Sequence, residues 1–227
     1  MENIFEGLDL SPWKTGWEPG GPVFDGYEGE VENIEKKYDP SQRQGETVFY
    51  GASNFRMWKN MDKDLSEFKA QNHGFGGATD VLLIHYAPRL LFAYKPKTAV
   101  IQSGSNDLAG LKGRPAKQAA ASLELKKRMY EYFCKALPDT KFIVLSAILM
   151  PGAPFWTETS VLVNEGLRDL CGQEPQLEYL GIDSLTFDGS VYKNELFKSD
   201  GIHLNRDGQL LLCNDHIRPA LEKLSSK

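Results

Sequence analysis

Thr98-Ala99-Val100-Ile101-Gln102-Ser103 and Lys141-Phe142-Ile143-Val144-Leu145-Ser146-Ala147-Ile148-Leu149 are the stretches that decide the fold. Both are short, rich in β-branched residues and almost continuously apolar, as strands buried on both faces are. The segment between them, 115–137, has a helical pattern and carries Pro115 at its first turn. The alternation continues outward, with strands predicted at 47–51, 68–73 and 177–182 and helices at 79–94, 157–171 and 206–224. The last helix places Leu210, Cys213, Ile217, Leu221 and Leu224 on one face. Trp58, Met61, Leu65 and Phe68 predict one more buried helical stripe. These steps predict a single α/β domain over 46–227, a three-layer α/β/α sandwich of flavodoxin-like type with a five-stranded, mostly parallel sheet. Ligands of such sheets bind beyond the carboxyl ends of the strands, where the strand order reverses.

Composition narrows the class. The 227 residues carry 26 Lys+Arg against 31 Asp+Glu, a net charge of −5, with no basic stripe to neutralise phosphates, so a nucleic-acid partner is not expected. Cys134, Cys171 and Cys213 are too few and too scattered for a disulfide framework or a zinc finger, and read as small apolar side chains in helices of a reduced compartment. Residues 1–10 hold Glu2, Glu6 and Asp9 and no apolar h-region, which argues against a signal peptide. The longest nearly apolar run, 142–150, is half the length a transmembrane helix needs. The expectation is a soluble cytoplasmic protein. Residues 1–45 differ from the rest: Pro12, Trp13, Gly16, Trp17, Pro19, Gly20, Gly21 and Pro22 make an irregular arm, followed by a helix near 28–38. Val31, Ile34 and Tyr38 give that helix an apolar edge, and the tryptophans are expected to pack the arm onto the domain rather than bind a ligand ring.

Four stretches beside the predicted elements carry chemistry. After the first strand comes Gly51-Ala52-Ser53-Asn54, with Ser53 at the start of a helical turn, where free N–H groups favour developing negative charge; a plain N-cap explains the serine as well. After the second comes Asn72-His73-Gly74-Phe75-Gly76-Gly77-Ala78-Thr79, whose glycines let the backbone approach a ligand, or make a simple tight turn. Gly104-Ser105-Asn106-Asp107 follows the third strand; Asn106 can aim its amide at an oxyanion, or form an Asx turn. Ser199-Asp200-Gly201-Ile202-His203-Leu204-Asn205 precedes the last helix, with an Asp three residues before a His, an arrangement that can fix an imidazole's tautomer. Of the other histidines, His85 reads as core or surface, and Asp215-His216 point to different sides of a helix. Each stretch is ambiguous alone; together they supply a nucleophile, oxyanion donors and an oriented base.

These four blocks, in this order over 48–221, resemble the SGNH/GDSL hydrolase superfamily, most closely its lysophospholipase/acetylhydrolase-like branch. The resemblance implies Ser53 as nucleophile, His203 as base and Asp200 as the residue that orients it. It also implies an oxyanion hole made by the Ser53 N–H, a glycine N–H (Gly77 preferred, Gly76 the alternative) and the Asn106 side chain. Ala52 stands where the family usually has the Asp of its Gly-Asp-Ser motif, which bears on loop geometry more than on the chemistry. The activity implied is hydrolysis of carboxylic esters, sometimes thioesters, with no cofactor and no metal.

Two other readings stay open: a catalytically silent ligand-binding module on the same fold, and a metal-dependent hydrolase built on Asp107, Asp200 and His203. Within the esterase reading, O-acetyl sugars and short-chain acyl esters both fit, with lysophospholipase or thioesterase activity as the alternative. Phe155 and Trp156, after the fourth strand, are expected to line the cleft, stacking on a sugar or bounding an acyl pocket; loop packing explains them equally well. An exposed rim of those rings would also suit a homodimer.

Overall fold

The computed structural model describes residues 4–8, 16–18, 21–23 and 25–225; Trp13 and the side chain of Trp17 lie outside what is described. Five strands form one sheet: β1 (Thr47–Gly51), β2 (Gln71–Gly74), β3 (Thr98–Gln102), β4 (Lys141–Leu145) and β5 (Leu177–Leu180). Their order is β2-β1-β3-β4-β5 and every pairing is parallel, so the sheet is wholly rather than mostly parallel. The order reverses between β1 and β3, and that is where the fold opens a ligand crevice. A short antiparallel ribbon, Gly16–Glu18 with Gly21–Val23, lies outside this sheet.

Side-chain alternation along the strands sorts the core into two layers. Val48, Tyr50, Ala99, Ile101, Phe142 and Val144 face one side and pack with α1 (Glu28–Lys37), α2 (Asp80–Leu90), α3 (Pro115–Ala136) and α4 (Thr157–Gln173). Phe49, Val100, Ile143 and Leu145 face the other side and meet Phe55, Trp58, Met61, Leu65 and the C-terminal helix α5 (206–225). Helix α1 is held to α2 by Arg89, which donates to Glu28 at 2.5 Å and Glu35 at 2.6 and 2.8 Å. No helix among the described residues is long and apolar enough to cross a membrane. The cysteines are free and buried, and burial pushes Cys134 and Cys171 up to about 12 and Cys213 to about 11.

Several boundaries differ from the sequence reading. Trp58, Met61 and Leu65 are buried as expected, but around two short turns, Met61–Asp64 and Ser66–Phe68, rather than on one helix. The second strand begins at Gln71, because Lys69 turns the chain at φ 51°. The fourth stops at Leu145, although residues 146–150 remain buried, because side chains take over the pairing: Asn164 accepts from the Ala147 N–H at 2.7 Å and Ser146 Oγ from Ile182 at 2.8 Å. Helix α5 contains a π turn, Leu212–Ile217, between two α segments. Burial alone, therefore, does not mark where a ladder ends.

Candidate active site

Ser53 opens a single helical turn, Ser53–Arg56, directly beyond the carboxyl end of β1. The turn is anchored by Phe55, which is buried against Phe49. Ala52 is the N-cap, and its carbonyl accepts from Phe55 and Arg56 at 3.1 and 3.2 Å. Ser53 is therefore not the capping residue, which removes the N-cap explanation of its presence. Its hydroxyl Oγ lies 2.8 Å from Nε2 of His203, a residue 150 positions away in sequence.

His203 sits on a tight loop closed on itself. Lys198 N–H donates to the His203 carbonyl at 2.8 Å, Gly201 N–H donates to the Lys198 carbonyl at 2.9 Å, and Phe197 bridges Leu204. Asp200 organises this loop from within. Its Oδ1 accepts from the N–H groups of Ile202 (2.8 Å) and His203 (3.0 Å), and its Oδ2 lies 2.7 Å from His203 Nδ1. Desolvation opposes its ionisation, but the bonds from the His203 ring and from the two backbone N–H groups outweigh it and hold the carboxyl down at about 2. With Asp200 ionised and acceptor-only, Nδ1 carries the imidazole proton and Nε2 is left to accept from Ser53. This is the arrangement of a hydroxyl next to an oriented base.

The glycine-rich block and the Gly104–Asp107 block occupy the same end of the sheet. Asn106 Nδ2 donates to the Ala78 carbonyl at 2.9 Å, tying the two blocks together, and among the described residues its second proton has no acceptor. Among the described residues the Gly77 N–H has no partner, whereas the Gly76 N–H is taken by Glu30 at 2.9 Å. Of the two glycines considered, Gly77 is the one with a donor to offer.

No family model matches this chain, and no curated protein matches it. Solved structures do. The chain is similar to a GDSL-like lipase from Bacteroides thetaiotaomicron, with TM-score 0.65, 16% identity and coverage of 87% of this chain and 98% of the other. It is similar to a carbohydrate esterase family 3 protein from Talaromyces cellulolyticus, with TM-score 0.62, 16% identity and coverage of 80% and 98%. A Clostridium thermocellum family 3 carbohydrate esterase gives TM-score 0.59, 14% identity and coverage of 80% and 99%. The chain shares the fold of these GDSL-like lipase and esterase structures.

The other residues singled out in the sequence have different surroundings. His73 lies in β2, fully buried, with Nδ1 2.6 Å from the Leu90 carbonyl; burial lowers it to about 4, against that bond, so it is a neutral core residue. Asp107 accepts from the Asp80 N–H at 3.0 Å and is not joined with Asp200 and His203. Among the described residues no three His, Cys, Asp or Glu side chains are grouped to hold a metal. Trp156 packs against both core layers, leaving Phe155, 71% exposed, as the free ring of that pair.

Sequence reasoning missed three supporting residues. Asn54 Oδ1 accepts from the Leu204 N–H at 3.1 Å, fastening the serine turn to the histidine loop. Gly152 N–H donates to the Gly201 carbonyl at 2.9 Å, so the loop after β4 buttresses the histidine loop. Glu30, from α1, holds Gly76 and pairs with Arg56 at 3.7 Å. Only Asn54 carried a local signal, its adjacency to Ser53; the others act across long sequence separations.

Proposed function

We propose that this chain is a serine esterase of the SGNH/GDSL superfamily that hydrolyses small carboxylic esters, O-acetyl or short-chain acyl, through an acyl-serine intermediate. One observation carries the proposal: the 2.8 Å contact of Ser53 Oγ with Nε2 of an imidazole whose Nδ1 is 2.7 Å from Asp200. In this reading His203 takes the Ser53 proton as Oγ bonds to the ester carbon, and the carbonyl electron pair moves onto oxygen. The Ser53 and Gly77 N–H groups and the Asn106 amide stabilise that oxyanion. Each such donor, aimed where charge develops, contributes about 3–4 kcal/mol. Collapse expels the alcohol, which leaves with the proton from His203. Water then adds to the acyl-serine with His203 as base again, releasing the carboxylic acid and restoring Ser53. The steps consume only ester and water.

The substrate class is supported by the likeness to two proteins named as family 3 carbohydrate esterases. Phe155, exposed on the turn Pro154–Trp156, is the ring available to meet the acyl or sugar part. The test is Ser53→Ala with p-nitrophenyl acetate, beside labelling by a fluorophosphonate. The variant should stay folded, lose about 10³-fold or more of kcat and no longer be labelled. Wild-type protein that is neither labelled at Ser53 nor active on a panel of acetylated sugars and short acyl esters would instead be a ligand-binding module. Turnover of the Ser53→Ala variant at the wild-type rate would refute the nucleophile.

A further inference from the structure

Behind the two blocks that carry Gly77 and Asn106 lies a buried ionic group that the steps above do not use. Lys126, in the middle of α3, is 1% exposed and extends to the end of the sheet. Its Nζ donates to Asp80 Oδ2 at 2.8 Å and to Ser103 Oγ at 2.9 Å. Asp80 is the first residue of α2, three positions after Gly77, and Ser103 lies three positions before Asn106. Asp107, fully buried, closes the loop from the other side by accepting from the Asp80 N–H with both oxygens, at 3.0 and 3.3 Å. Gly104 completes the cradle: its φ of +104° suits glycine, and a Cβ there would come within 2.7 Å of Lys126 Nζ.

Stability does not explain such a group. A buried ion pair loses in desolvation much of what it gains in attraction, and apolar residues of the same volume often serve as well or better. What this pair does that an apolar cluster cannot is impose direction: three bonds of fixed geometry cross from the 77–80 turn to the 103–107 turn, beside the Asn106-to-Ala78 bond. Both turns lie beyond the strand ladder that could fix their separation, since β2 ends at Gly74 and β3 at Gln102. Resting on the esterase reading above, we infer that Lys126, with Asp80 and Ser103, is a positioning residue that sets the spacing of the Gly77 and Asn106 donors. Burial and the neighbouring Asp80 carboxylate push Asp107 up to about 8 despite Lys126.

A positioning role predicts a loss in kcat, not in substrate binding, because the donors act on charge that exists only in the transition state. Lys126→Met combined with Asp80→Asn removes both charges together and leaves no buried ion without its partner. Ser103→Ala removes one anchor and leaves the pair intact. Each protein is titrated with a fluorophosphonate that labels Ser53, and kcat for p-nitrophenyl acetate is expressed per labelled site. A merely structural role lowers the number of sites, not the rate at each. The paired variant should lose about 30-fold or more in kcat per site with KM within about threefold, a partial displacement compared with the 10²–10³ of a lost donor. Ser103→Ala should lose about fivefold on the same scale. A paired variant within about threefold of wild type per site overturns the inference. So does Ser103→Ala within about twofold, should the paired variant not fold. Wild-type protein that fails to label at Ser53 refutes the esterase reading and this inference with it, whereas labelled protein with unaltered variants refutes this inference alone.

Discussion

Replacing Gly152 with alanine should disable the site without touching a reacting group. An added Cβ would lie 2.4 Å from the Asp200 carbonyl oxygen, 3.0 Å from the Gly201 carbonyl carbon and 3.0 Å from Ile202 Cγ1. The nearest comfortable carbon–oxygen approach is roughly 3.3 Å, so one loop must retreat by about 0.9 Å. Two of the three clashing atoms are backbone atoms of the loop that carries His203, so side-chain rotation cannot relieve the crowding. The same retreat lengthens the Gly152-to-Gly201 bond of 2.9 Å and carries the imidazole away from Ser53, now 2.8 Å distant. A misplacement of about 1 Å costs roughly 10²-fold in rate, or about 2.7 kcal/mol of barrier. Gly152→Ala is therefore expected to lower kcat/KM for p-nitrophenyl acetate about 100-fold while its circular dichroism spectrum stays that of the wild type. A variant that turns over within about threefold of wild type would mean that the loop after β4 does not hold the histidine in place.

Other expectations follow from single contacts. Asp200→Asn can keep the two backbone bonds through its carbonyl, but its amide then faces His203 Nδ1 and moves the ring proton to Nε2, which can no longer accept from Ser53; kcat should fall by about 10³–10⁴ with the fold intact, and a loss under tenfold would refute the orienting role. His73 is held neutral by burial, at about 4 in the folded chain against 6.5 when exposed, so the unfolded chain binds more protons between those values. The stability contributed by neutral His73 is complete above pH 6.5 and is lost as pH falls towards 4, a change of about 3 kcal/mol. Urea titrations of wild type and His73→Gln at pH 7 and pH 4.5 should show the wild type losing more on acidification; equal losses would show that His73 does not carry the effect.

The sequence by itself determined the parallel α/β architecture, because strands buried on both faces leave continuous apolar runs such as Ala99-Val100-Ile101 and Phe142-Ile143-Val144, and these alternate with stretches of helical period. It also made Ser53, Asp200 and His203 legible as candidates, since each lies on a short block whose local chemistry is written in adjacent residues. The block separation hid the rest. That Ala52 rather than Ser53 caps the turn, that Trp156 packs half-buried against the core while Phe155 faces solvent, and that His73 is a buried structural residue depend on which surfaces the packed chain covers. Gly152, Glu30 and Lys126 act on groups 20 to 50 positions away, through contacts that exist only once the strands have brought their carboxyl ends together. Periodicity and spacing report what one element does with itself; the separation of two turns is set by whatever is wedged behind them, and that is a property of the folded chain alone.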